Sequence, residues 1–222
     1  MRRAPHIHRF IDPGDALGEV MFGIIMTLTF TVGARYFMVK GEFDSNELIV
    51  GVVGCNIAWG VIDAVLFVLG ALFFRSQRAR FYHALRSAPD EQTALSAVAD
   101  QFGLEDEPLS VPAEERAKLY QAILAVGRRA NPAPIGITKS DLTAAFLVFA
   151  LVTFTAIPCV VPFLIIADES KALTVSNTVQ VLLLFIGGYR WGSYTAVAPW
   201  KVGLTVAILG FGMCMLTVVL GG

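Results

Sequence analysis

The sequence has little charge, few cysteines and few histidines. Charged residues make up 16% of its 222 residues, whereas 55% are hydrophobic. An average soluble domain has roughly 25% charged residues, so this chain has too few to cover a soluble surface. Its three cysteines are too few for a disulfide scaffold, and its apolar content excludes intrinsic disorder. We therefore expect an integral membrane protein.

Signatures of common enzymes are missing as well. The sequence has no GxGxxG, Walker A, GxSxG or HExxH motif, and none of its three histidines lies in a long apolar stretch. Its cysteines have neither metal-ligand nor redox spacing. We expect neither an enzyme nor a bound cofactor. The net charge of −1 gives no indication of a nucleic-acid partner, and we expect none.

Five apolar stretches are long enough to cross a bilayer, which takes about 20 residues of helix. They cover residues 17–38, 48–74, 142–167, 172–189 and 200–222. We predict an all-α membrane bundle of five transmembrane helices, with a small helical cytoplasmic module between spans two and three. The predicted divisions are a cytoplasmic tail (1–16), spans one and two (17–74), the module (75–140) and spans three to five (141–222).

Two helices are predicted within the module. Asp90 stands between a proline and a glutamate, a pattern typical of a helix start, and Gly103 is typical of a helix end. A second start signal at residues 110–115 precedes an apolar face of Leu119, Ile123 and Val126.

The 17 basic residues are unevenly distributed among the predicted loops. Most lie in the N-terminal tail, in the module and between spans four and five, whereas the remaining loops are acidic. Because basic residues stay on the cytoplasmic side of a membrane, we expect a cytoplasmic N-terminus and a C-terminus on the opposite side. The expected location is the plasma (inner) membrane.

Polar residues inside span two are candidate functional residues, because charges within a membrane are costly and usually functional. Asp63 lies deepest, and Asn56 precedes it by two turns on the same helix face. Gly60 lies between them and would let another backbone approach closely. The alternative is that Asp63 pairs with a structural partner inside the bundle.

A second polar stripe is predicted on span one. Asp15, Glu19 and Met26 recur at helical spacing and combine two carboxylates with a thioether. Such a ligand mixture suits a borderline divalent ion such as Fe²⁺ better than Mg²⁺ or Ca²⁺. The alternative is structural, since acids stabilise a helix N-terminus and methionine is an ordinary core residue.

The layout of two spans, a helical module and three more spans resembles the vacuolar iron transporter family. Residues 54–60 are similar to the family's Gly-Ala-x-Ser-Met-x-x-Gly-Glu segment, and Asp15-Ala16-Leu17 to its Asp-Gly-Leu. Pro158 and Pro162 resemble its proline-containing third span. Residues 187–191 and 200–204 are similar to its link into a glycine-bearing final helix.

This resemblance implies a homodimer in a lipid bilayer that exchanges Fe²⁺ or Mn²⁺ for protons along a path between spans one and two. In that family the path uses an aspartate, methionine and carboxylate groups, and glutamates on the module collect the metal. The corresponding candidates here are Asp15, Glu19, Met26, Asn56 and Asp63 for the path, and Glu114 and Glu115 for collection. A capping role is the alternative for the last two.

Span two departs from the family pattern at two positions. Ile57 and Val61 stand where the family has its methionine and glutamate, and the nearest acid, Asp63, is displaced by about 200° around a helix. We expect a divalent metal transporter. Two alternatives stay open: a non-transporting membrane protein that binds a partner or regulates it, and a proton or small-solute pathway that uses the same acids.

Overall fold

The computed structural model describes residues 11–40, 44–103, 111–130 and 134–220. The described residues form eight helices and no strands: α1 Pro13–Lys40, α2 Ser45–Ser87, α3 Glu91–Phe102, α4 Ala113–Arg129, α5 Lys139–Phe154, α6 Ala156–Ile165, α7 Glu169–Gly192 and α8 Pro199–Val219. Five segments are long and apolar enough to cross a membrane, in agreement with the prediction: Pro13–Arg35, Ser45–Ser87, Lys139–Ile165, Glu169–Gly192 and Pro199–Leu216. The chain divides into two compact units, one of Met1–Phe67 with Lys139–Gly222 and one of Val68–Thr138.

The third span is two helices rather than one. The break falls at Thr155, whose amide bonds to the carbonyl of Val152 at 3.3 Å and so closes a tight turn between α5 and α6. Pro158 lacks an amide hydrogen, and its ring would clash with the carbonyl of residue 154 in a continuous helix. The break between the two helices therefore lies one turn before the first of the two prolines.

In the first unit, α7 packs against α8, α1 and α6. Its contact with α8 is unusually close at two glycines. A Cβ built at Gly188 would lie 3.0 Å from the Cα of Gly203, and one built at Gly203 would lie 2.8 Å from the carbonyl oxygen of Phe185. Glycine at these positions lets the two backbones approach to a distance that no larger residue allows.

A buried polar network joins α1, α6 and α7. Thr27 donates to Oε1 of Gln180 at 2.6 Å, and Nε2 of Gln180 donates to Thr31 and Ser176, both at 3.1 Å. The hydroxyl of Ser176 donates to the carbonyl of Cys159 at 2.8 Å. These side chains satisfy one another, which removes the cost of burying them.

The second unit contains the end of α2, together with α3 and α4. α3 begins after Asp90, which accepts a bond from the amide of Thr93, and ends at Gly103 in a left-handed conformation (φ 51°), as predicted. The expected apolar face of α4 is right at Ile123, which packs against the buried cluster, and wrong at Leu119 and Val126, which are exposed. The buried residues of α4 are Tyr120, Leu124 and Gly127, so its inner face is shifted by one position.

The reason for this shift is a close contact at Gly127. A Cβ built there would lie 2.6 Å from Cδ1 of Leu85, a fully buried residue on α2. The face that contains the glycine turns inward and Val126 turns outward, and a larger residue at position 127 would require the Leu85 side chain to shift.

We expect Asp90→Ala to loosen the first turn of α3 and Asp90→Asn to preserve it at neutral pH. The bond from the Thr93 amide holds the pKa of the Asp90 carboxyl below its usual value. A lowered folded-state pKa stabilises the fold above the unfolded pKa, about 4, and this effect is lost as pH falls through the folded pKa. Hydrogen exchange of α3, compared between variants at one pH, measures the effect. Equal protection in wild type and Asp90→Ala at pH 7 would contradict it.

Candidate functional site

A cleft of about 670 Å³ opens in the first unit between the start of α1, the middle of α2 and the end of α7. Its walls are Ile11, Gly14, Asp15, Gly18, Glu19, Phe22, Asp63, Phe67 and Trp191. Three of these nine residues are carboxylates and none is basic. The lining is therefore acidic and suits a cation.

The start of α1 is fixed by a local turn. The carboxylate of Asp12 accepts a bond from the amide of Gly14 at 2.7 Å, and Pro13 occupies the first helical position. Proline is well suited to that position because its missing amide hydrogen would have no helical partner. This turn begins the helix so that Asp15 and Glu19, one turn apart, line the same cleft.

Aromatic residues border the acidic lining. Phe22 packs edge-on against Trp59 with ring centroids 5.7 Å apart, which joins α1 to α2. On the α7 side, a Cβ built at Gly14 would lie 3.6 Å from Nε1 of Trp191, so the indole lies over the glycine. Phe22 and Trp191 are 38% and 40% exposed, so the aromatic border covers the carboxylates only in part.

Asp63 is half-buried, and its surroundings leave one carboxylate oxygen without a partner. Oδ2 is shielded from solvent and has no hydrogen bond to any residue that the structure describes. A buried carboxylate oxygen without a bonding partner is costly. Such a cost is commonly tolerated where the group has a functional partner, such as a proton or a metal ion.

The polar residues predicted to form one stripe on span two have different surroundings. The amide of Asn56 donates to the carbonyl of Val152 and to Thr155, both at 3.0 Å, and Asn56 does not line the cleft. A Cβ at Gly60 would lie 3.0 Å from the carbonyl oxygen of Phe149, so the predicted close approach of a backbone is confirmed. Asn56 and Gly60 hold α2 against α5, whereas Asp63 lines the cleft.

The other predicted residues are not among those that line this cleft. Met26 is half-buried on α1 and is not among the lining residues. Glu114 and Glu115 are exposed in the first turn of α4, in the second unit, and Glu114 pairs with Lys118 at 2.6 Å. Within the described residues, no group of three or more histidine, cysteine, aspartate or glutamate side chains is arranged to hold a metal ion.

Two further placements bear on the family resemblance. Ile57 and Val61, at the positions of the family's methionine and glutamate, are 41% and 50% exposed and do not line the cleft. Asp63 does line it, although it is displaced from the family position. Six of the nine lining residues were not predicted as part of a site, and Trp191 is the most distant of them in sequence, because no spacing pattern relates residue 191 to the start of α1.

Comparison with known proteins agrees with the resemblance. The chain is 22% identical over 219 residues to vacuolar iron transporter 1 of Arabidopsis thaliana, with 92% of this chain and 84% of that protein aligned. The sequence model described as the VIT family matches residues 71–222, so the match begins after the three cleft carboxylates. Because this match spans more than half of the chain, the protein belongs to the VIT family.

Proposed function

We propose that this protein transports a divalent metal ion, Fe²⁺ or Mn²⁺, across a membrane in exchange for protons. The acidic cleft between α1, α2 and α7 is the observation that carries the proposal. The similarity to vacuolar iron transporter 1 of Arabidopsis thaliana supports metal ion transport. An acidic cleft shared by Glu19 and Asp63 favours transport over a regulatory subunit, for which we would expect a closed, dry bundle.

Carboxylate chemistry supplies the coupling to protons. In their charged forms, the carboxylates of Asp15, Glu19 and Asp63 attract a cation into the cleft. Because the three do not by themselves enclose a metal ion, water would complete its coordination, and carboxylate and water oxygens are ligands that suit Mn²⁺. Protonation removes the negative charge and turns a ligand oxygen into a hydroxyl, which weakens its hold on the metal. A proton that enters the cleft therefore displaces the ion.

The proposal includes a homodimer with a cytoplasmic N-terminus in the plasma membrane. Of the five spans, α2 is the least covered by the other described residues, because only 6% of its apolar 18-residue stretch is buried. Val61, Val65 and Leu66 are at least half exposed on it. A second copy or lipid covers this surface. In the second unit, Glu114 and Glu115 would collect metal from the cytoplasm.

The direct test is metal flux into liposomes that contain only the purified protein. Under an imposed pH gradient, we expect Fe²⁺, Mn²⁺ or Co²⁺ to enter several times faster than in empty liposomes. A protonophore that collapses the gradient is expected to slow entry, because protonation of the carboxylates would no longer differ between the two sides. Flux at the level of empty liposomes for all three ions would refute transport, whereas flux unaffected by the protonophore would refute proton exchange alone.

A further inference from the structure

A polar cleft of about 580 Å³ lies in the second unit. Its polar side chains come from the last turns of α2, with one from α3: Gln77, Arg80, His83, Ser87 and Gln101. Those on α2 recur every three or four residues and so share one face of the helix. Among the residues that the structure describes, no carboxylate lines this cleft; Phe81 and Ala84 complete its lining.

The cleft's basic side chains are not used by the fold. Arg80 and His83 are exposed, and their side chains have no hydrogen-bond or ion-pair partner among the residues that the structure describes. A guanidinium presents five N–H groups in a planar fork that matches the oxygens of a phosphate. The side-chain amides of Gln77 and Gln101 add further donors around it, whereas the Ser87 hydroxyl already donates to the carbonyl of His83 at 2.9 Å.

The position of the cleft along α2 points to a membrane surface. Leu69, Phe73 and Phe74 are 54%, 59% and 66% exposed, and the helix turns basic at Arg75. At 1.5 Å per residue, Arg80 lies about 9 Å beyond Phe74. The headgroup layer of a bilayer is roughly 5–7 Å thick on each side, so the long arginine side chain reaches it.

From these observations we propose that the cleft binds a phosphate-bearing anion through Arg80, with an anionic lipid headgroup as the source that its position favours. Basic residues directly beyond a membrane span attract anionic lipids. A cleft that places neutral donors around one arginine adds recognition of the phosphate itself. The same chemistry accepts a free phosphate, so the test distinguishes the two sources.

Binding is measured on the purified full-length protein in neutral detergent. The probes are short-chain phosphatidylglycerol, short-chain phosphatidylcholine and inorganic phosphate, and the readouts are affinity and Tm. We expect phosphatidylglycerol to bind and raise Tm. Arg80→Gln should weaken its binding about fivefold, the effect of one basic residue near an anionic lipid.

Arg78→Gln is the matched control, because it removes the same charge from the same helix without changing the cleft lining. We expect this variant to bind within twofold of wild type. Stronger binding of inorganic phosphate than of phosphatidylglycerol, still dependent on Arg80, would keep the anion site and replace its lipid source. Equal losses in the two variants, or no binding of any anion, would overturn the proposal.

Discussion

Asp63→Asn is expected to reduce metal flux at least tenfold while the protein remains folded. Asparagine keeps the size of the side chain but removes the negative charge and one of the two carboxylate oxygens. Asp63 is half-buried, and loss of its charge costs well over about 1.4 kcal/mol of ion-binding free energy. A loss of about 1.4 kcal/mol already corresponds to a tenfold effect. Glu19→Gln should have a similar effect, because both carboxylates line the same cleft.

Glu47→Gln provides the control for this experiment. Glu47 is exposed in the first turn of α2, on the same helix as Asp63, and does not line the cleft. Its replacement removes one carboxylate from the chain and should leave flux within twofold of wild type. If Asp63→Asn also stays within twofold while the wild type transports, the cleft is not the path of the ion, even though transport itself is established.

Gly203→Ala is expected to destabilise the bundle by about 1–3 kcal/mol, the usual cost of overpacking. The added Cβ would lie 2.8 Å from the carbonyl oxygen of Phe185, which is backbone and cannot rotate away. The helices α7 and α8 must separate to admit it. For a chain of this size the expected fall in Tm is roughly 2–10 °C, measured by thermal unfolding in detergent.

Gly212→Ala is the matched control on the same helix. A Cβ at Gly212 meets nothing within 4 Å, and alanine favours a helix over glycine by about 1 kcal/mol. This variant should therefore match or slightly exceed the wild-type Tm. A similar fall in Tm for both variants would mean that helix α8 tolerates no added methyl group anywhere, and that the contact with Phe185 is not the cause.

Local signals predicted most of the helix boundaries. Asp90 and Gly103 specify their ends of α3 through bonds that involve only neighbouring residues, so the sequence alone was sufficient. Spans were predictable for a similar reason, since length and apolar content are local properties. The break at Thr155 was not predicted, because a proline disturbs the helix about one turn before its own position, and Thr155 lies one turn before Pro158.

Contacts between helices were harder to predict. The face of α4 depends on the contact of Gly127 with Leu85, and periodicity alone did not distinguish this face from its neighbour. In the candidate site, Glu19 and Asp63 were found because acids in a span are rare, and Asp15 because it precedes Glu19 by one helical turn. Their separation from Asn56 and Met26, and the presence of Trp191, depend on how three distant helices meet.

The polar network around Gln180 bears on how this protein is made. Of the five spans, the segment of α7 has the lowest mean hydropathy, and Gln180 and Ser176 contribute to that value. Their hydrogen-bond partners Thr27 and Cys159 lie on α1 and α6, which leave the ribosome before α7 does. During synthesis, the earlier helices are therefore already present when α7 emerges, and the partners that satisfy its polar side chains precede it.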